Sequence, residues 1–345
     1  LWQVHTRLDQ TGLDEETLVV EYFMSIEGTV VFLVSADNVS AHRLSVTPQA
    51  VQKHRQGLQH NFNMLRQAPQ LHQHLLRRAQ QQLQELYGAL IGPFSADVAS
   101  YRRLIVVPHG PLHYVPFQAL YDGTAYLLER HAISYLPGSS FLGLARPEPP
   151  TEGSALIMGH TQQGELPHIA EEARAVAQNL QTTPYLDKAA TRLRFQERAC
   201  QCRVVHLAAH GDFRARDPLF SGLHLHDGLL TTLDVFNTCL PASLVTLSAC
   251  QTGRSAVGGG DELFGLMRAF LAAGTASLVL TLWPVDDACT TSLMTTFYDL
   301  LRHGESKVEA LRKAQLDLIG GQEHSRAHHP YFWAPFFLVG DGGSL

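Results

Sequence analysis

The sequence predicts an α/β fold built on a mostly parallel sheet, and three observations carry that expectation. Two runs, RVVHLAAHG (Arg203 to Gly211) and SLVTLSACQTG (Ser243 to Gly253), are continuous stretches of small and β-branched residues bounded by turn formers, the pattern of strands buried on both faces. Beyond residue 150, such runs alternate with amphipathic helical stretches, the strand–helix rhythm of a parallel sheet. Both runs stop at reactive side chains, His210 and Cys250, and in open α/β sheets the working groups sit just past the carboxyl ends of the strands.

Taken in order, TLVVEYFMS, GTVVFLVS and SAHRLSV read as three strands with turns at Glu27-Gly28 and Asp37-Asn38. Thr47-Pro48 opens a helix with an apolar stripe at Val51, Leu58, Phe62 and Leu65, and a glutamine-rich helix follows from about Gln70 to Leu90. His54, His60, His72 and His74 crowd these helices. With no carboxylate or cysteine at ligand spacing, they read as solvated polar faces rather than metal ligands. Arg102 to Leu120 is a strand followed by a proline-rich loop, where His109 and His113 beside Gly110 imitate the later His-Gly end. No cysteine follows before Cys200, so a structural role is expected for both. The cluster Arg146-Pro147-Glu148-Pro149-Pro150 reads as a linker between an N-terminal region, 1–147, and a second domain, 151–345.

After the linker, SALIMG is a strand. Ile169, Ala173, Val176 and Leu180 mark a helix with Glu171 and Glu172 early in it, where the helix dipole favours carboxylates. A short helix from Thr191 to Cys200 leads into the histidine strand. His206 stands four positions before His210, which on a strand separates the two by about 13 Å. It is expected to be a satisfied core histidine. GLHLHDGLLT reads as a hairpin turning at Asp227-Gly228, decorated by His224 and His226. Gly258, Gly259 and Gly260 lack a following GKS or GKT, so a mobile wall of a cleft is the better reading than a phosphate loop. A helix from Asp261 closed by Gly274, the strand TASLVLTLW, a helix carrying Leu293, Met294, Phe297 and Leu301, a helix from Ser306 to Ile319 and the strand APFFLVG complete the chain.

If the two central strands are neighbours, about 4.8 Å apart, an imidazole and a thiol at matching ends can meet. A free thiol with pKa about 8.5 is only a few per cent thiolate near neutral pH, and an adjacent imidazole raises that fraction. Gly211 lets backbone approach a substrate, and its N–H together with that of Cys250 can form an oxyanion hole. Against this stands the plain alternative that a cysteine at a strand end is inert core. No third residue orienting His210 can be assigned.

HLAAHG, then LSACQTG, then GGGDELFGLMRAFLAAGTASLVLTLWPVDD, then HPYFWAPFFLVG, in that order from about Leu18 to Gly340, resemble the pattern of CHAT-domain proteins, caspase-like cysteine peptidases related to separases. The resemblance implies a caspase-like three-layer α/β/α domain over 151–345, preceded by a degenerate caspase-like N-terminal half. It also implies cysteine endopeptidase activity through a His210–Cys250 dyad. The caspase signature Gln-Ala-Cys-x-Gly is only partly met: Ser248-Ala249-Cys250 is followed by Gln251-Thr252-Gly253, and His210 lies 40 positions upstream of Cys250. Strict aspartate specificity is therefore not implied. By similarity to separases, Asp287 is the candidate for binding a basic residue before the scissile bond, with Asp286 beside it; both are equally readable as helix caps. The resemblance further implies a regulated protease of a bacterial defence or signalling system that acts on a protein substrate and is released by a sensor or a tetratricopeptide-repeat region. No convincing run of 34-residue repeats is present here.

Composition narrows the partners. A net charge of −6 gives no electrostatic case for nucleic acid or a membrane surface, and the longest apolar stretch, Phe270 to Val285, contains Gly274 and reads as a helix end and a strand. The start at Leu1, without a signal peptide, suggests a fragment or processed chain. Five cysteines, without a zinc-like double pair, fit a reducing cytoplasm. No metal or organic cofactor is called for. The rival expectations are a non-catalytic caspase-like scaffold that binds protein partners and a small-molecule hydrolase or transferase using the same dyad.

Overall fold

A computed structural model describes residues 12–143, 148–150, 154–162, 164–212, 214, 217–248, 261–283, 287–321 and 326–345. The chain divides into two units, Leu1–Ala145 and Arg146–Leu345.

In the first unit β1 (Thr17–Ser25), β2 (Gly28–Val34) and β3 (Val39–Leu44) form an antiparallel meander. Strand β1 also runs parallel to β4 (Arg103–Val107), and β4 parallel to β5 (Ala132–Tyr135). Helix α1 (Pro48–Gln67) starts where expected: the Thr47 hydroxyl accepts the Ala50 N–H at 3.3 Å, and proline opens the first turn. Its stripe of Val51, Leu58, Phe62 and Leu65 is buried. Helix α2 (His72–Leu90) packs against it and buries Leu75, Ala79, Leu83 and Leu86. Short helices α3 (Ser95–Val98) and α4 (Leu127–Arg130) flank β4. The Met24 N–H donates to His109 Nδ1 at 3.3 Å, a structural use for that histidine.

Turn positions differ from expectation by one residue. Ser25 pairs with Gly28, and Leu225 with Gly228, so the two-residue turns are Ile26-Glu27 and His226-Asp227. Each glycine, with φ of 141° and 133°, opens the returning strand. Asp227 is thereby left to accept the Arg192 N–H at 2.6 Å at the start of a helix.

In the second unit the strand order is β14-β13-β12-β8-β6-β7. The strands are β6 (Ser154–Gly159), β7 (Tyr185–Leu186), β8 (Cys202–Ala208), β12 (Leu244–Ser248), β13 (Ser277–Thr281) and β14 (Phe336–Gly340). All pairs are parallel except β13 with β14. Helices α5 (Pro167–Asn179), α6 (Arg192–Arg198), α7 (Thr232–Phe236), α8 (Asp261–Ala272), α9 (Asp287–Arg302), α10 (Lys307–Gly320) and α11 (Pro330–Trp333) connect or cover them. The strands β12 and β14 are buried at every position, as continuous apolar runs in a covered sheet require. A small antiparallel sheet of β9 (Gly211–Asp212), β10 (Gly222–Leu225) and β11 (Gly228–Thr231) grows from the end of β8.

Candidate active site

The two central strands are neighbours. Strand β8 pairs with β12 in parallel register, with Thr246 opposite His206 and Ser248 opposite Ala208. His210 is two residues past the end of β8 and half-buried. Cys250, the Gly258–Gly260 loop, Arg146-Pro147 of the linker, Asp286 and the side chain of Asp287 lie outside the described residues. Asp287 is the first residue of α9.

His210 is held by the small sheet. The His224 N–H donates to the His210 carbonyl at 2.8 Å, and the two imidazoles stack with centroids 5.5 Å apart and planes 26° from parallel. Since His210 and His224 are a hydrogen-bonded pair of the antiparallel ladder, the next pair, Gly211 with Leu223, is the non-bonded one. The Gly211 N–H therefore points out of the hairpin.

A neighbouring group of side chains lies at the end of β6. The His160 N–H donates to the Ala208 carbonyl at 3.0 Å, carrying the β6–β8 pairing one step further, and its ring meets that of His226 edge-on at 6.3 Å. Burial holds the His160 imidazole below its ordinary value; Asp187 opposes this, His226 adds to it, and a bond to the His224 backbone opposes it. Thr161 donates to Asp187 Oδ1 from its N–H at 2.9 Å and its hydroxyl at 2.6 Å. Burial pushes the Asp187 carboxyl up, but these bonds, with His160 and Arg174, outweigh it and keep it below the usual carboxylate range. Gln162 and Asp187 adopt φ of 50° and 45°, left-handed backbone that non-glycine residues hold only where the surroundings enforce it. Nothing in local sequence marks this cluster, because Thr161 and Asp187 are 26 residues apart.

His206 is wholly buried, as expected of a core histidine, with Nδ1 3.2 Å from the Tyr298 hydroxyl. Burial pushes the Tyr298 phenol far up, so it stays a donor, and it donates to Thr246 Oγ1 at 2.7 Å. The second nitrogen of His206 faces Glu172, which stands early in α5 as the sequence places it. Its carboxylate is buried, accepts the Ser248 hydroxyl at 3.0 Å through Oε2, and brings Oε1 to 3.3 Å from His206 Nε2. That last approach is within ion-pair range but off the hydrogen-bonding direction. Glu171 is the exposed member of the pair and meets His168 at 3.1 Å.

Among the described residues, no group of three or more histidine, cysteine, aspartate or glutamate side chains is placed to hold a metal ion. No helix among them is long and apolar enough to cross a membrane.

The CHAT-domain family model matches residues 80–341. Tetratricopeptide repeat protein 28 of Homo sapiens is 28% identical over 329 residues, covering 76% of this chain, and its Mus musculus counterpart is 29% identical over 330 residues, also covering 76%. The chain spans 13% of the length of each. Among solved structures, separase in the Saccharomyces cerevisiae separase–securin complex superposes with a TM-score of 0.69 at 9% identity, over 96% of this chain and 30% of that one. The fold is thus the caspase-like, separase-like one that the sequence motifs imply.

Proposed function

Given that the chain belongs to the CHAT-domain family, we propose that it is a cysteine endopeptidase in which Cys250 is the nucleophile and His210 its base. The observation that supports this reading is the pairing of β8 with β12, whose last residues Ala208 and Ser248 stand opposite each other, two positions before His210 and Cys250. In the reaction, His210 takes the thiol proton and the Cys250 thiolate attacks the scissile carbonyl. The oxyanion is held by the N–H groups of Gly211 and Cys250, each donor of such a hole being worth about 3 kcal/mol. His210 then gives its proton to the leaving amine, and water, deprotonated by the same imidazole, releases the acyl group. The outward direction of the Gly211 N–H in the non-bonded ladder position supports its share.

Asp287, with Asp286 beside it, is the proposed recognition site for a basic residue before the cut, since α9 begins there, past the carboxyl end of β13. A protein substrate and a tetratricopeptide-repeat region that controls access belong to the same reading. The repeat proteins related to this chain support the second of these. The setting is a cytoplasmic regulated protease. A bacterial defence role rests on the family resemblance alone, because the relatives named here are mammalian.

The test incubates wild type, Cys250→Ala and His210→Ala with a denatured whole-cell proteome and sequences new amino termini by mass spectrometry. Termini made only by wild type support the peptidase, and a basic residue before the cut supports Asp287. Identical termini from all three proteins would sink turnover under these conditions and favour the scaffold.

A further inference from the structure

Five polar side chains of the second unit that the reaction does not use form one buried chain: Ser248, Glu172, His206, Tyr298 and Thr246. Each is more than nine-tenths buried. Ser248 and Thr246 stand on β12 and His206 on β8, with Thr246 and His206 as direct register partners. Glu172 and Tyr298 come from α5 and α9, two helices that pack on each other. The links are Ser248 to Glu172 at 3.0 Å, Glu172 to His206 at 3.3 Å, His206 to Tyr298 at 3.2 Å and Tyr298 to Thr246 at 2.7 Å.

Stability alone does not explain this arrangement. Buried ionisable groups lose hydration, and apolar side chains of the same volume would hold helices to a sheet as well or better. Hydrogen bonds supply direction. A carboxylate that accepts one hydroxyl at one angle fixes a strand against a helix, where methyl groups permit sliding. The chain also ends at a particular place: Ser248 is the last residue of β12, two positions before Cys250.

We propose that Glu172 is a positioning residue for the nucleophile. It grips the Ser248 hydroxyl from α5 and thereby fixes β12 against α5 two positions before Cys250, which governs how Cys250 is presented to His210. The other carboxylate oxygen stands 3.3 Å from His206 Nε2 without a hydrogen bond, while Nδ1 of that ring is held by Tyr298 and Tyr298 by Thr246. The role given to Cys250 rests on the peptidase reading; the network stands without it.

Alkylation of Cys250 by iodoacetamide, followed by peptide mass spectrometry between pH 5.5 and 9 and set beside thermal melting, tests this directly. Exposed Cys239 is the internal standard. Glu172→Met keeps the volume and removes both polar links, Ser248→Ala removes one bond with little change in packing, and Glu172→Gln keeps an acceptor for Ser248. The first two should fold and alkylate Cys250 about tenfold more slowly near neutral pH, as small misplacements of reacting groups do, while Cys239 reacts as before. Glu172→Gln should recover most of the rate. In cleavage assays kcat should fall with KM held. An unchanged or faster Cys250 rate in folded Ser248→Ala overturns the proposal, whatever becomes of Glu172→Met. If wild type shows no Cys250-dependent cleavage, the peptidase reading fails separately, and the alkylation series still decides the network.

Discussion

The imidazole of His224 lies over that of His210, 5.5 Å between centroids and 26° from parallel, while the His224 main-chain N–H holds the His210 carbonyl at 2.8 Å. The main-chain bond survives replacement of the 224 side chain by alanine; the stacking does not. His224→Ala should therefore lower stability by about 1 kcal/mol, the scale of an aromatic pair, or about 2–4 °C in Tm. It should also lower cleavage several-fold by letting the His210 ring swing. His224→Phe keeps a ring and should restore both. A phenylalanine variant as poor as alanine, in melting and in cleavage, would show that the imidazole itself is required.

His160 predicts a pH dependence of stability. Its pKa in the fold is held below the ordinary 6.5, chiefly by burial. The unfolded chain therefore takes up this proton first as pH falls, and the contribution of neutral His160 is present above about pH 6.5 and lost as pH falls from there through the folded value. His160→Gln should flatten the loss of stability between about pH 7 and 5, measured by urea denaturation at several pH values. Asp187, depressed in the fold, acts in the carboxylate range at lower pH, so the two windows separate. A slope unchanged in the variant would remove His160 from the account.

Which parts of this molecule were legible in the sequence follows the range of the interactions involved. The strands and helices were readable because their periodicity is local: the α1 stripe and its Thr47 cap are where spacing places them. The hairpin turns were read one residue late because a glycine with positive φ was assigned to the turn itself, and here it opens the returning strand. His210 was recognisable as a strand-end histidine. The role of Glu172 was not, because its partner Ser248 is 76 residues away and a carboxylate near a helix start has a ready local explanation in the helix dipole. The same distance effect hid the Thr161–Asp187 pair, and it left His109 structural without naming Met24, 85 positions distant, as its donor.

Gly222 is where the small sheet tolerates no side chain. A Cβ there would stand 2.1 Å from the Leu230 carbonyl oxygen, 2.8 Å from its carbon and 2.9 Å from the Thr231 Cα. All three are backbone, so no rotamer change relieves the clash. Gly222→Ala should part β10 from β11 at a cost of about 2 kcal/mol or more, and because Leu223 and Leu230 are a hydrogen-bonded pair of that ladder it should expose the Leu223 amide to exchange. Hydrogen exchange at that amide is the measurement, and wild-type protection in the variant would contradict the role given to this contact.

Lys307 is fully buried, with Nζ 2.9 Å from Asp341 Oδ2 and 3.5 Å from the carbonyl and hydroxyl of Ser243, the residue before β12. The ammonium thus ties α10 and the end of the chain to the entry of a central strand. Breaking a buried ion pair by removing one partner costs about 3–5 kcal/mol because the other charge stays behind in low dielectric. Asp341 is half exposed, so the charge left behind matters more when the aspartate is removed than when the lysine is. Asp341→Ala should cost about 3 kcal/mol, the low end of that range, whereas Lys307→Met, which leaves only a carboxylate in reach of water, should cost less. The double variant Lys307→Met with Asp341→Asn should be more stable than Asp341→Ala, since no charge remains to be buried. Thermal melting of the three proteins orders them, and a double variant less stable than Asp341→Ala would mean that Lys307 contributes through bonds to Ser243 rather than through its charge pair.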